Sequence, residues 1–180
     1  MIILKRTVVL LLLVFLAGCA SQSSVVPTIG TVASCDPILR SSATTGLDFP
    51  CLDEKSSIHF DALRGPLIVN VWGSWCAACK DELPILRSFY SKAKSQFQLL
   101  GVDVEEAKPA DGKAFIIANG ITWPSVIDPD GRSRGFFGMG VPVTWFINKH
   151  GVVLYKKIGT VRSENELRDL TLKYLNIAVG

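Results

Sequence analysis

The stretch Trp72-Gly-Ser-Trp-Cys-Ala-Ala-Cys79 restricts the possible folds of this chain more than any other stretch does. An almost continuous apolar run, residues 66–72, leads into this stretch and is typical of a strand buried on both faces. The residues after it predict a helix from Cys76 to about Lys94, which puts Cys76 at a helix N-terminus. Unpaired N–H groups and the helix dipole favour a negative charge there, and the thiolate is the reactive form of cysteine. Since Cys79 lies one turn further on, we expect the two thiols to cycle between dithiol and disulfide.

Other uses of a Cys-x-x-Cys pair need residues that the sequence does not supply nearby. A zinc site requires two further ligands at suitable spacing, but His59 and His150 are far apart in the sequence, which has no second Cys-x-x-Cys. A peroxide-reducing cysteine would need a hydroxyl and a proline upstream of Cys76, where Val69 and Gly73 stand. We therefore predict no metal and no cofactor. An inert structural disulfide and a copper-carrying dithiol are the alternatives.

The first residues predict an export signal. Lys5 and Arg6 precede an apolar run, residues 7–16, that is short for a membrane span. Leu16-Ala-Gly-Cys19 resembles the lipobox of bacterial lipoproteins, with cleavage before Cys19 and acylation of that cysteine. An uncleaved anchor and a plain secretory signal are the alternatives, and every version places the body of the chain outside the cytoplasm.

Composition divides the chain into three parts. Residues 1–18 are the signal peptide, residues 19–45 a lipid-anchored tether rich in Ser, Thr and small residues, and residues 46–180 one domain. An ordered N-terminal extension is the alternative to the tether. Loss of the signal lowers the net charge from +3 to about +1. The sequence has no basic patch that would indicate binding to nucleic acid, so we expect no nucleic-acid partner.

Cys35 and Cys51 are the cysteines outside both motifs. Outside the cytoplasm, two such cysteines often pair. We expect a Cys35–Cys51 disulfide that fastens the end of the tether to the domain, with free thiols as the alternative.

Strand and helix patterns alternate along the domain. Residues 47–60 predict a short hairpin; further strands are predicted over 97–104, 125–127, 143–147 and 152–156, and helices over 109–119, 133–139 and 163–175. The last helix opens with Ser163-Glu-Asn-Glu166, a capping box. This order predicts an α/β fold with a mixed central β-sheet flanked by helices.

From about Leu47 to Leu175 the chain resembles thioredoxin-fold proteins of the TlpA/ResA-like branch. Trp75-Cys-x-x-Cys79 followed by Glu82 and Pro84 matches the Cys-x-x-Cys-x-x-Glu-x-Pro run of that branch. Asn70 stands where thioredoxins proper keep a buried aspartate, and this branch commonly has Asn there. The resemblance implies a thioredoxin-like fold with an extra helix and strand inserted and an N-terminal hairpin.

Gly140-Val-Pro142 matches the cis-proline loop of the family, and residues 109–129 match the inserted helix and strand. The resemblance implies that Pro142 is cis and faces the cysteine pair. It also implies that the backbone of Val141 pairs with an extended client segment, as in strand addition, and that Trp75 helps to form the docking surface.

The resemblance gives each group near the thiols a role. Cys76 resembles the nucleophile that attacks a client disulfide, and Cys79 resembles the resolving thiol. Glu82 resembles an acidic group whose partly dry surroundings raise its pKa and let it relay protons. An ordinary exposed acid in the first turn of the helix is the alternative for Glu82.

The resemblance as a whole implies a thiol–disulfide oxidoreductase outside the cytoplasm, lipid-anchored to the bacterial cell membrane and monomeric. Members of the branch often reduce apocytochrome c before haem attachment and receive electrons from a membrane thiol–disulfide carrier, so a protein-disulfide reductase in cytochrome c maturation is expected. The Ala-Ala dipeptide between the thiols, where many relatives carry a proline, keeps a disulfide-forming oxidase open. A non-catalytic binding lipoprotein of the same fold is a further alternative.

Overall fold

The structure is a computed structural model that describes residues 29–138 and 140–180. These residues form two sheets with four helices around them. The strands are β1 (Asp48–Pro50), β2 (Ser57–His59), β3 (Leu67–Trp72), β4 (Gln98–Val104), β5 (Ser125–Asp128), β6 (Val143–Ile147) and β7 (Val153–Ile158). The helices are α1 (Ala77–Ala93), α2 (Pro109–Ala118), α3 (Arg134–Phe137) and α4 (Glu164–Leu175), with a 3-10 turn at Phe60–Ala62.

The main sheet has five strands in the order β5-β4-β3-β6-β7. β4 pairs in parallel with β3 and β5, whereas β6 pairs antiparallel with β3 and β7. The predicted mixed sheet flanked by helices is therefore confirmed, and the fold is thioredoxin-like. β1 and β2 form a separate antiparallel hairpin, as predicted.

β3 lies at the centre of the sheet, and all of its residues are buried. Ile68 and Trp72 belong to the core beneath α1, whereas Leu67, Val69 and Val71 belong to the core on the opposite face. Because successive residues of a strand point to opposite faces, a strand covered on both sides is apolar at nearly every position. The carboxyl end of this strand carries the chain into the loop before the cysteines.

α1 begins directly after that loop, with Cys76 as its N-cap residue. Its buried side includes Cys79 and Glu82, so the second cysteine and the acid face the interior together. Pro84 lies inside the helix, where it removes one backbone donor. At α4 the serine half of the predicted capping box is present, since the Ser163 side chain accepts a hydrogen bond from the Glu166 N–H at 3.1 Å, whereas the Glu166 side chain accepts from the Arg162 N–H at 2.8 Å.

The segment before the hairpin differs from the expected tether. Residues 29–45 lie on the domain, where Gly30 N donates to Ile117 O at 2.9 Å and Thr31 N donates to Ile121 O at 2.8 Å. Ile38 is buried in the core opposite α1. Apolar side chains within this segment explain the packing, and the ordered-extension alternative describes these residues better.

The predicted Cys35–Cys51 disulfide is present, and both cysteines are buried. It joins the N-terminal segment to the residue that follows β1. The predicted signal peptide, residues 1–18, and the predicted lipidation residue Cys19 lie outside the described residues. Among the helices that are described, none combines the length and the apolar character needed to cross a membrane.

Candidate functional site

The two cysteines of the motif form a disulfide at the N-terminus of α1, with Sγ–Sγ at 2.08 Å. Cys76 Sγ accepts a hydrogen bond from the Cys79 N–H at 3.0 Å, so sulfur occupies the place of the usual N-cap oxygen. Cys76 is 6% exposed and Cys79 only 1%. The more accessible sulfur therefore sits where unpaired N–H groups and the helix dipole favour a thiolate.

Glu82 lies one turn beyond Cys79 on the same buried side of α1. The residue is 0% exposed, which overturns the alternative of an ordinary surface acid. Its Oε1 accepts from Asn70 Nδ2 at 2.8 Å, and its Oε2 accepts from the Val161 N–H at 2.9 Å. These contacts fix the carboxyl group between β3, α1 and the loop that joins β7 to α4.

Burial raises the pKa of Glu82 to about 7, against the opposing effect of the hydrogen bonds from Val161 and Asn70 and of the nearby Lys157. A carboxyl group with such a pKa holds or releases a proton near neutral pH, as a general acid–base group must. Asn70, from β3, also lies within 3.4 Å of Thr144 Oγ1. The side chain of Asn70 therefore links the centre of the sheet to Glu82 on the helix that carries the cysteines.

Trp75 is 54% exposed although its indole Nε1 donates to Val104 O at 3.2 Å. The Val141–Pro142 peptide bond is cis, which confirms the predicted loop. A cavity of about 40 Å³ separates these two features, and its lining includes Trp75, Val141, Val104 and Phe137. Among the described residues the backbone of Val141 makes no hydrogen bond, so it is available to an extended partner.

The sequence did not single out two acids near the end of β4, Asp103 and Glu106. Asp103 is 0% exposed, and among residues 29–138 and 140–180 no donor reaches either carboxyl oxygen, so its hydrogen bond with Glu106 requires a proton on one of the two acids. Burial, and then Glu106 and Asp111, raise the pKa of Asp103 to about 9. Glu106 accepts hydrogen bonds from the backbone N–H and the hydroxyl of Ser74, two residues before Cys76. The available signal was their position, since β4 ends at the same edge of the sheet as β3.

The remaining polar candidates lie away from this edge or in its structural core. His59 is on β2, 3.9 Å from Asp48, and His150 is in the turn before β7. Trp72 is buried and stacks on Phe115. Within the described part of the chain, no three His, Cys, Asp or Glu side chains converge as metal ligands.

Comparison with known proteins agrees with the geometry in indicating thiol–disulfide chemistry. The AhpC/TSA family model matches residues 45–156. The chain is 34% identical over 131 residues to the thiol-disulfide oxidoreductase ResA of Geobacillus kaustophilus, covering 71% of this chain and 75% of that protein. It is 30% identical over 167 residues to ResA of Geobacillus thermodenitrificans, covering 91% of each. The crystal structure of StoA from Bacillus subtilis superposes with a TM-score of 0.59 at 26% identity, over 73% of this chain and 99% of StoA.

Proposed function

Because this chain belongs to the AhpC/TSA family and is a thiol–disulfide oxidoreductase of the ResA type, we propose that it reduces protein disulfides outside the cytoplasm. The observation that carries the proposal is the Cys76–Cys79 disulfide at the start of α1 with buried Glu82 one turn beyond. An inert structural disulfide would need neither an acid with a pKa near 7 nor a cis-proline loop beside it.

The cycle starts from the oxidised pair. A thiolate of a membrane thiol–disulfide carrier attacks one sulfur of the Cys76–Cys79 disulfide and forms a mixed disulfide. The second carrier thiolate then resolves the mixed disulfide. The carrier leaves as a disulfide, and Cys76 and Cys79 remain in the reduced form. Two electrons and two protons have entered the site, and one proton can rest on Glu82 because its pKa is close to neutral pH.

The reduced pair then acts on the client. The Cys76 thiolate attacks a client disulfide, and one client sulfur leaves as a thiolate. Glu82 gives the proton that it holds to that thiolate and is then ionised. It accepts the proton of Cys79, whose sulfur attacks Cys76 Sγ, and passes this proton to the second client sulfur as that sulfur leaves. The client ends with two thiols and the Cys76–Cys79 bond is restored, so electrons and protons balance.

Docking of the client uses the surface around the nucleophile. Exposed Trp75 supplies an aromatic contact, and the unpaired backbone of Val141 next to cis-Pro142 pairs with an extended client strand. An extended segment with a disulfide between nearby cysteines fits this geometry, and apocytochrome c before haem attachment is such a client. The chain works as a monomer held to the cell membrane by acylated Cys19, with nucleic acid excluded as a partner.

Trapping tests the proposal directly. A Cys79→Ala variant expressed in its own host should hold clients as mixed disulfides through Cys76, and their identification distinguishes cytochrome maturation from general disulfide handling. Cys76→Ala is the matched control and should trap nothing. Recovery of the same proteins with both variants would show that the association does not need the thiol.

A disulfide-forming oxidase is the rival, favoured only by the Ala-Ala dipeptide between the cysteines. The two directions differ in reduction potential. A value near roughly −270 mV, as in thioredoxin, supports reduction, whereas a value near roughly −120 mV supports oxidation. Equilibration of the purified protein with glutathione or dithiothreitol buffers measures it.

A further inference from the structure

The loop between β3 and α1 is held by residues that follow β4. Glu106 accepts hydrogen bonds from both the backbone N–H and the hydroxyl of Ser74, the latter at 2.8 Å. The adjacent Trp75 donates from Nε1 to Val104 O at 3.2 Å. The two residues immediately before Cys76 are therefore fastened to one neighbouring segment.

Glu106 is almost fully buried, at 7% exposure. A buried carboxylate requires hydrogen bonds to offset its loss of hydration, and the two Ser74 donors supply charge-assisted ones. Glu105 has φ of 57°, a left-handed conformation that is unfavourable for a residue with a side chain. The two consecutive acids consequently separate: Glu105 pairs with Arg134 at 2.6 Å, while Glu106 contacts the loop.

Asp103 is the neutral neighbour of Glu106. It is completely buried, and no hydrogen-bond donor in the described residues reaches it. The start of α2 packs directly against it, since a Cβ at Gly112 would lie 1.8 Å from its Oδ2. The charged groups that raise its pKa are Glu106 and, from α2, Asp111. From α1, Lys80 lies on the ring of Phe115 instead. Among the described residues Glu106 has two hydrogen-bond donors, both from Ser74, whereas no donor reaches Asp103.

We propose that Glu106 is a positioning residue for Cys76: its carboxylate fixes Ser74 and so maintains the geometry in which Cys76 Sγ meets the Cys79 N–H. This inference rests on the proposed function, because it takes Cys76 as the attacking sulfur. The hydrogen bond from the Cys79 N–H at 3.0 Å stabilises a thiolate at Cys76. A loop released from Glu106 holds that geometry less well, so the thiol pKa of Cys76 rises and its reactivity near neutral pH falls.

The test is the alkylation rate of Cys76 by iodoacetamide between pH 6 and 9 in a Cys79→Ala background, read by mass spectrometry on the peptide that contains Cys76; among the described residues Cys76 is then the unpaired thiol, and the Cys35–Cys51 bond stays oxidised. Glu106→Asp keeps the negative charge but is one methylene too short to contact both Ser74 donors. Ser74→Ala removes only the hydroxyl. Each should slow alkylation at pH 7 by about fivefold, the effect of one net hydrogen bond, and move the midpoint to higher pH.

A double-mutant cycle links the two residues. If Glu106 acts through Ser74, the variant that carries both substitutions should be no slower than Glu106→Asp alone. Asp111→Asn is the matched control, because it removes a carboxylate near Asp103 without contacting Ser74; it should react like the parent. Thermal melting of every variant verifies that it is folded, and Ser74→Ala preserves the test should Glu106→Asp fail to fold.

Parent-like rates and midpoints for Glu106→Asp and Ser74→Ala would overturn the inference, as would strictly additive slowing in the double variant. Both results concern a single free thiol and need no client. The proposed function fails separately, if the protein with both cysteines shows no reversible two-electron couple.

Discussion

Asp103→Asn should stabilise the protein at neutral pH, although it alters a residue buried at the edge of the site. Burial raises the pKa of this carboxyl from 3.8 to about 9, so the folded chain keeps a proton that the unfolded chain loses. The stability that the protonated group provides is present below about pH 3.8 and is lost as pH rises toward 9. Asparagine has the shape of the protonated acid and no proton to lose.

The size of the effect follows from the same shift. Each pH unit between the two pKa values lowers the free energy of unfolding of the parent by about 1.4 kcal/mol relative to the variant. At pH 7 the difference amounts to roughly 4 kcal/mol, and at pH 5 to less than about 2 kcal/mol. The gain belongs to neutral and mildly alkaline pH and should vanish in acid.

Urea unfolding followed by tryptophan fluorescence at pH 5, 6, 7 and 8 measures this difference, with both disulfides oxidised throughout. Asp111→Asn is the control: its carboxylate is exposed and makes the smallest contribution to the raised pKa of Asp103, so most of the parent pH dependence should persist. A difference between Asp103→Asn and parent that does not change with pH would refute the reasoning. So would a loss of stability at pH 7.

Three further changes test other parts of the molecule. Glu82→Gln should slow client reduction by about a hundredfold and abolish the rise in rate as pH passes about 7, because the ionised acid accepts the Cys79 proton; an unchanged pH–rate profile would remove Glu82 from the mechanism. Replacing Cys35 and Cys51 together by alanine should lower the free energy of unfolding by about 3 kcal/mol, since a cross-link across a 16-residue separation is lost; the reduction potential of Cys76–Cys79 should stay the same, and a shifted potential would show that the two bonds are coupled. Trp75→Ala should change stability by less than about 0.5 kcal/mol, because the ring is largely exposed, yet should weaken client binding about tenfold in KM; a lower kcat with unchanged KM would place the ring in the chemistry instead of in docking.

The sequence predicted those parts of the fold that depend on local patterns. The apolar run of β3, the cysteine pair at the start of α1 and the capping box of α4 each carry a signal within a few residues. The cis form of Pro142 was predictable from the resemblance of its loop, whereas the second cis bond, Gly65–Pro66, had no comparable motif and was missed.

Features that depend on distant packing could not be predicted. Asp103 is a single acid within the predicted strand 97–104 and Glu106 follows that strand, and only the close approach of α2 and of the Ser74 loop shows that both are buried. Glu82 was ambiguous for the same reason, because its burial depends on Asn70 and Val161, which lie in other parts of the chain.

If Cys19 carries the lipid anchor that we propose, the attachment of residues 29–45 to the domain limits how far the enzyme can travel from the bilayer. With the lipid on Cys19, only residues 20–29 separate the anchor from the point where Gly30 and Thr31 join the domain. Fully extended, this linker spans at most about 40 Å. Clients would have to come to the lipid surface, so emerging chains and neighbours in the same membrane would be served before freely diffusing proteins.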